Sequence, residues 1–109
     1  MKRKQTPESN ALEAICEYLA IRKYTFWRVN NTPSIQNDKY GFRFRAMPKY
    51  GMKGVSDIIL LIDGKAVFLE VKAKGKQSEH QKKFQKLVEG AKCQYYIVRS
   101  IGDLIALKY

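Results

Sequence analysis

Apolar residues recur along this chain in two rhythms, one helical and one extended. Leu12, Ile15, Cys16 and Leu19 fall at spacings of three and four and predict an amphipathic helix ending near Lys23. Its start is marked by Thr6-Pro7-Glu8: a capping Thr, a Pro at the first helical position and an acid in the first turn. Thr25 to Asn30 is β-branched and aromatic, and predicts a strand. Residues 31–54 have no sustained period and hold two of the three prolines and three of the seven glycines, so an irregular stretch is expected. A strand around Phe42-Arg43-Phe44-Arg45 interrupts it, where aromatic and basic residues alternate.

The centre of the chain is sharper. Asp57 to Ile62 and Lys65 to Lys72 flank Asp63-Gly64, a strong two-residue hairpin signal. Both arms are apolar at successive positions, so both faces of the hairpin are expected to be covered. Ser78-Glu79-His80-Gln81 then opens a helix with Phe84, Leu87, Val88 and Ala91 on one side. A strand from Gln94 to Val98 follows, then a short turn or helix from Ser100. Helix, strand, hairpin, helix, strand is the order of an α/β fold, a mixed β-sheet flanked by helices. At 109 residues, the chain is expected to be a single domain, residues 1–109.

Charge changes the picture. Lys and Arg number 21 against 10 Asp and Glu, a net charge of +11, which favours a polyanionic partner. No apolar run reaches the roughly 18 residues of a membrane span, and no basic helix carries spare bulky anchors, so nucleic acid is expected rather than a membrane. The Lys-rich start lacks the apolar stretch of a signal peptide, and the expected location is the cytoplasm. Cys16 and Cys93 lie far apart, and a single histidine makes a zinc site improbable.

The hairpin also carries candidate chemistry. With Asp63 and Gly64 as the loop, Ile62 faces Lys65, and stepping outward brings Asp57 opposite Glu70. Directly opposed side chains have Cβ atoms about 4.5–5.5 Å apart. Lys72 is two residues beyond Glu70 and shares its face. Two opposed carboxylates repel, and a divalent cation between them removes that cost; oxygen ligands suit Mg²⁺ or Mn²⁺. The carbonyl of Val71 is a further candidate ligand, and Lys72 a candidate to orient water or stabilise developing negative charge. A solvated Asp, Glu and Lys at strand ends is the alternative reading.

Gly54-Val55-Ser56-Asp57 followed by Leu69-Glu70-Val71-Lys72 resembles the PD-(D/E)xK nuclease core, with Ser in place of Pro. The wider pattern is similar to the VRR-NUC nucleases. It comprises a helix opening with Glu8, the segment Trp27-Arg28-Val29-Asn30, the two motifs above, the Ser78-x-x-Gln81 helix start and the final Ile97-Val98-Arg99 strand. Ser100 stands where that family's name-giving Val-Arg-Arg has its second Arg. The resemblance implies a restriction-endonuclease-like core and Mg²⁺- or Mn²⁺-dependent cutting of DNA. The small stand-alone members are similar to Holliday junction resolvases, which act as homodimers on branched DNA. A nuclease for flaps or single strands, and a non-catalytic nucleic-acid-binding module, are the alternatives.

Around the first helix, Leu12, Ile15 and Leu19 lie within roughly 40° of Glu8, whereas Glu13 falls about 140° away. Glu8 is therefore the acid expected to join the site, with a purely helix-dipole role as its alternative and Glu13 as the other acid. Gln81 has two readings as well: half of a capping box, or, as the resemblance implies, a neighbour of the catalytic carboxylates. His80 is expected at the surface. Arg28, Arg43, Arg45, Lys49, Lys53, Lys74 and Lys76 are the candidate DNA contacts, with Phe42 and Phe44 in the core or a dimer contact. Lys82, Lys83 and Lys86 extend the basic surface.

Overall fold

A computed structural model describes residues 6–29 and 49–109 in full, and residues 34–38 and 41–45 through their backbone. Helix α1 spans Pro7–Ile21, and Thr6 caps it by accepting the Ser9 N–H at 3.0 Å. Lys23, at a left-handed φ of 63°, ends it where the helical pattern stops. Strand β1 (Thr25–Arg28) is shorter than the expected Thr25–Asn30; Asn30 lies outside the described residues.

The stretch expected to be irregular holds a hairpin. Strand β3 (Gly41–Arg45) matches the expected strand, but it pairs with β2 (Ser34–Asp38), which the pattern of apolar residues did not announce. The two form a separate two-stranded sheet.

Strands β4 (Ile58–Ile62) and β5 (Lys65–Val71) form the central hairpin. Asp63 and Gly64 both take positive φ, 50° and 77°, the backbone that an Asp-Gly type I′ turn requires. After β5 the chain crosses through helix α2 (Glu79–Gly90) and returns as β6 (Gln94–Val98); a short helix α3 (Ile101–Ala106) follows. The main sheet has the order β1-β4-β5-β6, antiparallel except for the parallel β5–β6 pair. The protein is thus an α/β structure, a mixed four-stranded sheet flanked by helices.

Strand register assigns the two faces. Ile58, Leu60, Val67, Leu69, Val71 and Val98 point to one side and pack with Ile15 and Leu19 of α1 and Leu104 of α3. On the other side Phe68 meets Phe84 of α2 edge-on at 5.4 Å, and Phe84 meets Tyr95 at 6.1 Å. The expectation that both faces of the hairpin are covered holds only for β5. Helix α2 lies over β5 and β6, and Leu61 on the second face of β4 stays 44% exposed. The apolar side of α2 is also narrower than its spacing implied: Phe84 and Val88 are buried, whereas Leu87 is 59% exposed and Ala91 is the exposed C-cap. No described helix is long and apolar enough to cross a membrane.

Candidate active site

The β4–β5 ladder runs from Ile62↔Lys65 to Ile58↔Leu69, so the next step brings Asp57 opposite Glu70, the register set by the Asp-Gly turn. Asp57 itself has left the strand, which begins at Ile58. Its carbonyl accepts the Val29 N–H at 2.9 Å, and its Oδ2 accepts the Val71 N–H at 2.8 Å. A side chain thus takes over the ladder bond that a continuing β4 would have made. Because N–H and C=O of one strand residue point to the same neighbour, the Val71 carbonyl is directed to the Asp57 side as well. The bend into β4 is fixed by Ser56, which is buried and donates its hydroxyl to the Ile58 carbonyl at 3.2 Å.

Glu70 is only 2% exposed. Its Oε1 accepts a hydrogen bond from Gln81 Nε2 at 2.9 Å, while Oε2 is buried without a hydrogen-bond partner of ordinary geometry. Burial, foremost, and then the negative charge of Asp57 push the Glu70 pKa up from 4.5 to about 8, against the opposing pull of Lys72. The charge of Glu8 adds a smaller push in the same direction.

Lys72 lies one residue past β5, but its N–H still bonds the Val98 carbonyl at 3.1 Å, so the extended backbone carries it onto the face of Glu70. The chain after it is tied down by Arg99. That guanidinium donates to the Gly75 carbonyl at 3.1 Å and, at a long 3.5 Å, to the Lys72 carbonyl, while the Arg99 N–H bonds Asp103 Oδ2 at 2.7 Å.

The two readings of Gln81 turn out to be compatible. Its Oε1 accepts the Ser78 N–H at 2.8 Å and its own N–H donates to Ser78 Oγ at 3.2 Å, a complete capping box. The other end of the same amide is the Nε2 that holds Glu70. Helix α2 is brought this close by Gly54, at φ +78°. A Cβ there would stand 2.3 Å from the His80 carbonyl oxygen and 2.7 Å from the Gln81 nitrogen. Only a glycine permits this approach. Sequence spacing alone gives Gly54, Ser56 and Arg99 no individual role. The Gly in Gly54-Val55-Ser56-Asp57 was the one available signal, since a glycine opening such a motif marks close backbone approach.

Glu8 is exposed at the start of α1 and, with Thr6, Pro7, Ala73 and Lys74, lines a cleft of about 250 Å³ beside the end of β5. Glu13 is exposed too, and His80 sits exposed in the first turn of α2. Among the candidate DNA contacts, Lys49, Lys53, Lys74 and Lys76 are exposed, with the Lys49 ammonium 5.3 Å from the Tyr50 ring centroid. Arg28 is exposed but pairs with Ile58, which puts it on the α1 face of the sheet, where its charge acts on Cys16. It is therefore on the face away from Glu70. Arg43 and Arg45 lie on β3 with side chains outside the described residues, as do Phe42 and Phe44. Lys83 and Lys86 are exposed on α2, and Lys82 pairs with Glu79 at 3.6 Å.

Among the described residues no three His, Cys, Asp or Glu side chains come together as a ligand cluster. Two carboxyl groups, Asp57 and Glu70, act on each other here, and the strand geometry directs the Val71 carbonyl to the Asp57 side. That set fits a hard divalent ion of the Mg²⁺ kind, which is held by one or two carboxylates and keeps several waters, and Glu70 Oε2 is the orphaned atom such an ion would satisfy. No protein-family model matches this chain, and no curated protein matches it.

Proposed function

We propose that this protein is a Mg²⁺- or Mn²⁺-dependent nuclease that hydrolyses phosphodiester bonds in DNA, with a restriction-endonuclease-like core of the VRR-NUC kind. The observation that carries this reading is Glu70: a carboxyl group buried against a second carboxyl, with one oxygen unpartnered and a lysine on the same face. Such a group destabilises a fold unless a cation is to be bound there. Perturbed acids of this kind gather at functional sites.

Each residue has its task in this reading. Asp57 and Glu70 would hold the ion, with the Val71 carbonyl as a further ligand. Gln81 fixes the rotamer of Glu70 and leaves Oε2 free to ligate. Lys72 stabilises the negative charge that develops on the phosphate or orients the attacking water. Glu8 adds to the negative field at Glu70. The ion, when bound, supplies polarisation of a phosphate oxygen and a lowered pKa for a water molecule. Exposed Lys49, Lys53, Lys74 and Lys76, with the +11 net charge, favour the DNA backbone. A four-way junction cut symmetrically by a cytoplasmic homodimer is the substrate and assembly that the family resemblance favours, since one such site cuts one strand.

The test is a panel of labelled DNAs (four-way junction, flap, nicked duplex, intact duplex and single strand), each incubated with and without Mg²⁺ or Mn²⁺. Metal-dependent cutting is expected, strongest on the junction. Asp57→Asn and Glu70→Gln are each expected to abolish it and to leave DNA binding in place. Cutting retained in both variants would remove the assignment of the site, and metal-independent binding with no cutting would make the protein a binding module.

A further inference from the structure

The second face of the sheet is divided. Helix α2 covers Phe68 of β5 and Tyr95 of β6, but among the described residues no helix lies over β1 and β4 on that side. Register places Trp27 opposite Ile59 and Thr25 opposite Leu61, on the same face as Glu70. Trp27 is 47% exposed and Leu61 44%. An edge strand facing water ordinarily carries polar side chains there, as Thr25 does; an indole half in water calls for an occupant.

The position of Trp27 narrows the choice of occupant. Asp57 stands two residues before Ile59, just ahead of β4, and its carbonyl still bonds the Val29 N–H, so Trp27 is its diagonal neighbour, with an expected Cα separation of about 7–8 Å. The indole therefore stands beside the place where a cation at Asp57 and Glu70 would hold a phosphate. Trp27, Ile59 and Leu61 together are too few to supply the roughly 800 Å² per partner of a stable protein interface. A net charge of +11 attracts a polyanion to the protein. A flat aromatic surface beside a backbone-binding site is how proteins hold unpaired bases, because every base offers a π-face.

We propose that Trp27 is a stacking platform for an unpaired nucleobase adjoining the phosphate that a divalent cation at Asp57 and Glu70 would hold. This rests on the nuclease reading for the phosphate and adds a preference for strands with a base free to leave its pair. Trp27 then sets which DNA shapes engage the site: duplex stays on the basic surface, and only an unpaired base reaches the indole.

Trp27 is the single tryptophan of the chain, so its fluorescence reports on this one position. The full chain is titrated in Ca²⁺, a divalent ion that takes the same oxygen ligands and is used in place of Mg²⁺ to slow cleavage, with three oligonucleotides of equal length: a single strand, the same strand with abasic sites in place of its bases, and a blunt duplex. Binding is followed separately by anisotropy of a label on the DNA. The single strand is expected to quench the indole saturably, and the abasic strand and the duplex are expected to bind with little quenching. Trp27→Ala should weaken single-strand binding by about tenfold, with Trp27→Phe recovering most of it and duplex affinity changing less than about twofold. Equal quenching by all three ligands, or single-strand binding without quenching, overturns the stacking role alone. Quenching that rises with protein concentration in the absence of DNA assigns the face to a second copy and overturns it too. Failure of every oligonucleotide to bind instead retires the nucleic-acid reading as a whole.

Discussion

Replacing Glu70 by glutamine keeps the shape of the side chain, removes the charge that burial opposes, and still offers an oxygen to Gln81 and an amide to Asp57. In metal-free buffer the folded protein holds the Glu70 proton up to about pH 8, whereas the unfolded chain releases it near 4.5. Between these values the unfolded state binds fewer protons than the folded one. The stability of the wild-type protein therefore falls as pH rises through that window, and is flat below and above it. At about 1.36 kcal/mol per pH unit the full window corresponds to a ceiling of about 5 kcal/mol. Water reaching the half-buried Asp57 relaxes the charged pair, so a gain of about 2–4 kcal/mol is expected for Glu70→Gln at pH 9 and close to none at pH 4. Urea denaturation in EDTA, followed by circular dichroism at pH 4, 6, 7.5 and 9, measures both limits. Adding Mg²⁺ should then stabilise the wild type and leave the variant unmoved. A variant less stable than wild type at pH 9, or a difference that does not change with pH, would refute the reasoning.

The rest of the site gives predictions of the same kind. Gly54→Ala forces a Cβ against the His80 carbonyl at a positive φ, and should cost about 2–3 kcal/mol in urea denaturation and reduce cleavage by displacing Gln81. Ser78→Ala removes the cap and should cost about 1 kcal/mol with cleavage largely retained. Gln81→Ala removes the cap and the bond to Glu70 together, so it should lose stability and cleavage alike; equal activity in the two variants would reduce Gln81 to a cap. Asp57→Asn removes the second-largest cause of the raised Glu70 pKa, and a carbon-detected NMR titration of the Glu70 carboxyl should move its midpoint from about 8 towards 4.5.

What the sequence disclosed and what it hid follow from the range of the interactions. The Asp63-Gly64 turn fixes register locally, so the opposition of Asp57 and Glu70 could be counted out along two strands. Helix caps are equally local, which is why Thr6 and Ser78 announced α1 and α2. Gly54 touches α2 across 26 positions of chain, and nothing short-range in the sequence signals that approach. The charge of Arg28 is visible in the sequence but its sheet face is not; the pairing of β1 with β4 places it on the side of Cys16. The same pairing exposes Trp27, which reads as an ordinary apolar strand residue until the reach of α2 is known. The two roles of Gln81 looked like rivals because a sequence motif does not show that an amide has two ends to use.

Manganese binding, followed by electron paramagnetic resonance of the free ion, tests the claim that Asp57 and Glu70 form a cation site. The wild-type protein is expected to bind the ion with an affinity that rises by up to about tenfold per pH unit between pH 6 and 8, as the Glu70 proton is displaced. Asp57→Asn and Glu70→Gln should each lose that binding. Absence of binding in the wild type, or the same affinity in all three proteins, would contradict the account.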